Sequence, residues 1–149
     1  ALAGLDLLVP NRNEARILTA QASEQHPPPQ EMARHLQDYF RIPRVIITLG
    51  EEGAFVAEEA TQEMVPAFKV QVLDTPGAGD AFTAGLTCGL MAGSPLAEAA
   101  RFGCLTAARA VTVRESVPGF GTFQEIVGFA ATQGFEIPTP IARTNRAQR

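Results

Sequence analysis

The sequence predicts an α/β protein in which helices pack on a mostly parallel sheet. Short apolar runs alternate along the chain with segments of helical spacing, the pattern of helices layered on a sheet. Residues 44–49 form a continuous, largely β-branched run, as expected for a central strand buried on both faces. Hydrophobic residues make up 46% and charged residues 19% of the 149 residues, which is enough apolar surface for one globular domain.

The strands are predicted from apolar runs bounded by turn residues. They fall at residues 5–9, 44–49, 54–57, 63–65 and 69–73. Pro10 ends the first of them, and the turn between Gly50 and Gly53 leads from the central strand into a hairpin partner.

The helices are predicted from apolar residues at intervals of three and four. They fall at residues 11–19, residues 30–40, a segment that opens at the glycine-rich turn of residues 74–80, residues 96–113 and residues 123–132. Ser94 and Pro95 are the expected N-cap and first position of the alanine-rich fourth helix. Residues 141–149 are polar and basic and predict a flexible tail.

Composition argues against several classes of protein. The net charge is −4 and the 12 basic residues are scattered, so a nucleic-acid partner is not expected. No apolar run approaches the ~20 residues that span a bilayer, and the first residues lack the pattern of a signal peptide. Two cysteines and two histidines without ligand spacing predict neither a disulfide framework nor a zinc site. We therefore expect a cytoplasmic protein with buried thiols.

The strongest functional signal is the segment of residues 74–86, where a glycine-rich turn opens a helix. Free N–H groups at a helix N-terminus bind anions, and glycines let a phosphate approach the backbone closely. Asp80 in the first turn can accept a proton from an attacking hydroxyl. The alternative is that Asp80 only caps the helix. No Lys-Ser/Thr follows the glycines, and Phe82 stands where a dinucleotide fingerprint needs glycine, so neither of those phosphate motifs fits.

Residues 74–87 resemble the second signature of PfkB-type carbohydrate kinases, and residues 65–70 are similar to the ribokinase branch of that family. The resemblance implies a ribokinase-like fold and ATP-dependent phosphorylation of a sugar hydroxyl. It makes Asp80 the catalytic base, and it makes the backbone amides of Gly77, Ala78 and Gly79 the anion hole.

Two other segments gain a role from this resemblance. Asn11 and Glu14 form a capping box by spacing alone; in the family an Asn-x-x-Glu at this place helps to hold Mg²⁺ beside the ATP phosphates. Residues 48–53 are an ordinary strand-to-hairpin turn by pattern; the resemblance makes Thr48 and Gly50 nucleotide contacts. Many relatives also hold a monovalent cation such as K⁺ near Asp74.

The alanine-rich helix and the loop after it border the adenine pocket in the family. The sequence departs from the family pattern there. Cys104 stands where asparagine is common, and Glu115-Ser116 replaces the usual Gly-Ala pair. These departures change side chains at the adenine contacts and at the cation site that the resemblance implies.

The resemblance reaches to about Gly134 and covers only the C-terminal half of the family. We therefore expect residues 1–140 to be the nucleotide-binding and catalytic part of a ribokinase-like domain, with the N-terminal strands and the lid absent from this chain. A sugar is the expected acceptor, and self-association stays open. The alternatives are a nucleoside or keto-deoxy sugar acid kinase of the same family, and a non-catalytic nucleotide-binding fragment.

Overall fold

A computed structural model describes residues 4–19, 27–114, 121–138 and 141. The chain divides into two compact units, Ala1–Val65 and Pro66–Arg149. The first is built around a sheet and the second around packed helices.

The first unit contains a four-stranded sheet in the order β1-β2-β3-β4. The strands are β1 (Leu7–Leu8), β2 (Arg44–Thr48), β3 (Gly53–Glu58) and β4 (Thr61–Pro66, ending one residue into the second unit). β1 runs parallel to β2, and β2 pairs antiparallel with β3. The described sheet is therefore mixed. Gly53 (φ 107°) reverses the chain after β2, and a two-residue turn then connects β3 to β4.

Two helices, α1 (Arg12–Leu18) and α2 (Pro29–Phe40), complete the first unit. The central strand is buried as its composition predicts, with Val45, Ile46 and Ile47 fully inaccessible. Met32 and Leu36 of α2 pack into the core formed by this strand.

The described part of the second unit contains the helices α3 (Ala78–Met91), α4 (Leu96–Val111) and α5 (Phe123–Thr132). Glycines let α3 and α4 approach closely. A Cβ on Gly89 would lie 2.8 Å from the Cα of Ala99, and one on Gly103 would lie 2.8 Å from the carbonyl oxygen of Phe82. A second core joins Phe102 and Leu105 of α4 to α5.

Three predictions are wrong in this unit. Cys88, whose thiol was expected to be buried, is exposed on α3. Residues 69–73 do not form a strand, and Val72 and Leu73 are about half exposed. A strand needs a neighbour for its N–H and C=O groups, and the described residues place no strand beside this segment; Leu73 N donates instead to the carbonyl of Val111.

Ser94 is not an N-cap, because Pro95 caps α4 without a side-chain bond. The N–H groups of Gly93 and Ser94 donate to Leu90 and Gly89, closing the C-terminus of α3 in a Schellman motif. Ser94 therefore belongs to the C-terminal end of α3. The Ser94 hydroxyl oxygen is buried and has no hydrogen-bond partner among the described residues.

The predicted tail lies outside the described residues except for Ile141. That side chain is buried in the same apolar cluster as Phe102. The boundary at residue 140 stays a prediction.

Candidate functional site

The glycine-rich turn places a row of backbone N–H groups at the start of α3. Gly77 is the N-cap, with a left-handed φ of 82° that favours glycine. The first bond of the helix joins Ala81 N to Gly77 O at 2.9 Å, and Ala78 N donates to Thr75 O at 3.2 Å. The N–H groups of Gly79 and Asp80 precede the first ladder bond, as helix geometry requires. A Cβ on Gly79 would meet no atom within 4 Å, so the space beside this turn is open.

Asp80 is the third residue of α3 and is exposed. A side chain at this position can cap a helix by reaching back to the N-cap N–H. Glu14 of α1 and Glu125 of α5 do so, at 2.7 and 2.6 Å. The Asp80 carboxylate makes no such bond, nor any hydrogen bond or ion pair with the residues that the structure describes. The capping interpretation therefore has no bond to support it.

Asp74 begins the turn and is half-buried. Its Oδ1 accepts from Thr75 N at 3.0 Å, and its own N–H lies 3.3 Å from the carbonyl oxygen of Val111 at the end of α4. The turn is thus tied to the C-terminus of α4. Glu115 and Ser116, predicted to border the same site, lie outside the described residues.

Asn11, Glu14 and Thr48 come together at the carboxyl ends of β1 and β2. Asn11 Oδ1 accepts from Glu14 N at 2.9 Å, which with the return bond from Asn11 N completes the predicted capping box. A parallel bridge pairs Asn11 with Thr48, and Thr48 N donates to Pro10 O at 2.9 Å. Glu14 Oε1 accepts no hydrogen bond from the described part of the chain, so this oxygen can reach a ligand or a water.

Gly50 follows β2 with φ 64° and opens a 3₁₀ turn, Gly50–Glu52. This turn is tied to α1 by an ion pair between Arg12 Nη2 and Glu52 Oε1 at 2.6 Å. The partners are 40 residues apart in sequence, and the elements that carry them are joined by the pairing of β1 with β2.

The predicted site residues divide between the two units. Asn11, Glu14, Thr48 and Gly50 belong to Ala1–Val65, and Asp74 and residues 77–80 belong to Pro66–Arg149. Across the described ranges, no group of three or more His, Cys, Asp or Glu side chains could hold a metal by itself. One carboxylate and one amide suit Mg²⁺ that keeps its waters and binds substrate phosphates, so Asn11 and Glu14 fit this ion.

Cys104 lies inside α4 at the position where the resembled family commonly has asparagine. Burial raises the pKa of its thiol to about 12, an effect that the nearby Arg101 only partly opposes. The thiol is therefore neutral at physiological pH and acts as a packing group.

Within the described ranges, none of the helices is both long and apolar enough to cross a membrane.

Comparison with known proteins gives matches in sequence and in structure. Residues 1–119 match the pattern of the pfkB family carbohydrate kinases. Ribokinase of Haemophilus influenzae is 34% identical over 125 residues, which cover 84% of this chain and 40% of that protein. Deoxyribokinase of Salmonella typhi is 40% identical over 77 residues, covering 52% of this chain and 25% of that protein.

Solved structures show the same fold. Ribokinase of Thermotoga maritima has a TM-score of 0.79 at 27% identity, covering 87% of this chain and 43% of that one. Fructokinase of Vibrio cholerae, in its fructose, ADP and calcium ion bound form, has a TM-score of 0.71 at 28% identity, covering 83% and 40%. This chain therefore spans less than half the length of these relatives. The ribokinase-like α/β fold is confirmed, and since the family pattern covers residues 1–119 of 149, the chain belongs to the pfkB family of carbohydrate kinases.

Proposed function

We propose that this chain is the nucleotide-binding and catalytic part of an ATP-dependent kinase that phosphorylates a sugar hydroxyl. The observation that carries the proposal is the Asp80 carboxylate. This carboxylate lies in the first turn of α3 and makes no capping bond. The glycine-rich turn beside it has open space at Gly79, and its N–H groups precede the first backbone hydrogen bond of the helix. A proton acceptor next to an anion site is the arrangement that phosphoryl transfer to an alcohol needs.

In this proposal the start of α3 binds the transferring phosphoryl group. The N–H groups of Gly79 and Asp80, with the positive end of the helix dipole, stabilise its negative charge. The Ala78 N–H, already 3.2 Å from Thr75 O, contributes less than its neighbours unless that long bond gives way. Gly77 supplies the left-handed turn that exposes them.

Asp80 acts as the base. Its carboxylate accepts the proton of the sugar hydroxyl as the hydroxyl oxygen bonds to the γ-phosphorus of ATP. The bond from that phosphorus to the bridging oxygen breaks at the same time, and ADP carries away the electron pair. Since the transition state is loose, a weakly basic aspartate suffices if it is well positioned.

Glu14 and Asn11 are the proposed residues for Mg²⁺. The ion, when bound, neutralises charge on the phosphates. Glu14 would take part through Oε1 and water, since its other oxygen holds the capping box. Thr48 and Gly50, at the end of β2, are the proposed nucleotide contacts, because ligands of open α/β sheets gather at the carboxyl ends of strands. Asp74 remains the proposed ligand for a monovalent cation.

The acceptor is proposed to be a free sugar, because the relatives named above are a ribokinase, a deoxyribokinase and a fructokinase. A panel of ribose, 2-deoxyribose and fructose with MgATP separates these choices. A 2-dehydro-3-deoxygalactonokinase of Haloferax volcanii, 35% identical over 82 residues, adds a keto-deoxy sugar acid to the panel.

The test of the base is Asp80→Asn, which keeps size and polarity but cannot accept the proton. We expect kcat to fall by about 10²–10⁴-fold with little change in MgATP affinity. Glu98→Gln is the matched control, since Glu98 also lies third in its helix, exposed and without a cap bond. Steady-state assays with the sugar panel check both variants. Turnover retained by Asp80→Asn would exclude Asp80 as the base, and nucleotide binding by the unaltered protein without turnover would favour a non-catalytic fragment.

A further inference from the structure

Thr106 connects the middle of α4 to the first turn of α3. Its side chain is buried, with 6% of the residue exposed. Its hydroxyl lies 2.7 Å from the carbonyl oxygen of Ala81, which directly follows Asp80. A hydroxyl has one proton to donate, and Ala81 is the nearest of its three carbonyl neighbours; those of Gly103 and Phe102 lie at 2.9 and 3.3 Å.

The bond to Ala81 brings the Thr106 side chain so close to α3 that a glycine is required there, which argues that the bond is not incidental. Gly85, one turn further along α3, lies directly under the Thr106 side chain; a Cβ there would collide with Thr106 Oγ1 and approach its Cγ2 to 2.9 Å. A hydroxyl that only bonded back within α4 would not need this glycine.

The bond fixes one end of the turn that carries the site. Ala81 is held twice, since its N–H donates to Gly77 O at 2.9 Å and its carbonyl accepts from Thr106. Residues 78–80 are the arc between the two anchored positions, and Gly79 and Asp80 on that arc are exposed. One buried hydroxyl on α4 therefore sets where the Asp80 carboxylate and the phosphate-binding N–H groups stand.

We infer that Thr106 is a positioning residue for phosphoryl transfer, acting through Ala81 without touching the nucleotide. The inference rests on the proposed function. Thr106→Val, which is similar in shape and lacks the donor, should weaken MgATP binding by about fivefold, the effect of losing one hydrogen bond of about 1 kcal/mol. Thr106→Ser keeps the donor and should bind as the unaltered chain does.

The experiment titrates MgATP into the unaltered chain and three variants by calorimetry, and follows the amide signals of Gly79 and Asp80 by NMR. The third variant, Thr132→Val, removes an equally short hydroxyl bond (2.7 Å to Phe129 O) in α5 and should change neither readout. Weaker binding and shifted amide signals in Thr106→Val alone are the expected result.

Three results overturn the inference, and they are distinguishable. If the unaltered chain binds MgATP and Thr106→Val binds equally well, the positioning role fails while the proposed function stands. If the unaltered, folded chain does not bind, the nucleotide site fails and the role given to Thr106 falls with it. A loss of stability in Thr106→Val without a change in binding or in the amide signals shows a purely structural bond and also overturns it.

Discussion

Five acidic residues occupy the third position of an α-helix in the described part of the chain, and their surroundings divide them into two kinds. Glu14 and Glu125 follow N-caps with polar side chains, Asn11 and Thr122, and complete capping boxes. The other three, Glu31, Asp80 and Glu98, follow a proline or glycine N-cap that makes no side-chain cap bond. The residue three positions earlier therefore decides whether an acid is used for capping or left available for a ligand.

The capping boxes give a prediction for pH dependence. Hydrogen bonds from the backbone N–H and then the hydroxyl of Thr122 lower the pKa of Glu125 below 4.5, with a further small effect of Arg109. A depressed folded-state pKa stabilises the fold above the unfolded-state value and loses that contribution as pH falls through the folded-state value. Glu125→Gln keeps an acceptor but cannot ionise, so its stability deficit should shrink as pH drops below about 4.5.

Denaturant unfolding at a series of pH values measures this deficit. Glu98→Gln is the control, because Glu98 has the same helix position without the Thr122-type donors. A deficit for Glu125→Gln that stays constant from neutral to acid pH would contradict the assignment of the capping charge.

Structure at this scale can be predicted where the pattern is local. The Asn11–Glu14 box is predicted from its spacing and is present. The box at Thr122 and Glu125 has the same spacing, Thr-x-x-Glu before an apolar run, and this signal is sufficient to predict it. The ion pair of Arg12 with Glu52 and the bond of Thr106 to Ala81 join residues 40 and 25 positions apart, so no local pattern signals them.

At the scale of elements, the packing of α3 on α4 depends on glycine. Gly85, Gly89 and Gly103 lie where any Cβ would meet the opposite helix within 3.0 Å. The apolar face of α3 was predicted from its 3.6-residue period, and its glycines are part of that face. The period indicates which residues of a helix face a partner. The distance between the two helices also depends on the side chains of the partner, about which the period gives no information.

Gly89→Ala tests this packing directly. The added Cβ would lie 2.8 Å from both Cα and Cβ of Ala99, and backbone cannot yield cheaply, so we expect a loss of about 1–3 kcal/mol in the free energy of unfolding. Gly128→Ala in α5 meets no atom within 4 Å and should gain up to about 1 kcal/mol from helix propensity. Thermal or denaturant unfolding of both variants gives the comparison, and equal effects of the same sign would contradict the close approach.

Two of the wrong predictions concern the bounds of helices and strands. Residues 69–73 have the composition of a strand, but a strand exists only with a neighbour. Ser94-Pro95 has the pattern of a helix start, yet Gly93 in the left-handed region commits Ser94 to the end of the preceding helix. In the first case the lack of a neighbouring strand overrides the local sequence preference, and in the second case the end of the preceding helix does so.

At the scale of the whole molecule, the fold class and the family follow from the sequence, and the site only in part. The predicted site residues lie at the start of α1, at the end of β2 and in the turn after it, and in the glycine-rich turn that leads into α3. Those elements belong to two compact units. A local motif assigns a residue to an element, whereas a ligand site needs contacts distributed over the whole chain.

The central claim is that the first turn of α3 binds the transferring phosphoryl group of a nucleotide. Calorimetric titration of MgATP into the unaltered chain, Gly79→Ala and Gly128→Ala tests it most directly. Both substitutions add a methyl group where the chain leaves open space, so both should fold. Only the one at residue 79 would stand between the backbone and a phosphate. We predict binding by the unaltered chain and by Gly128→Ala, with affinity lower by about tenfold or more in Gly79→Ala. No binding by the folded, unaltered chain, or equal binding by all three, would contradict the account.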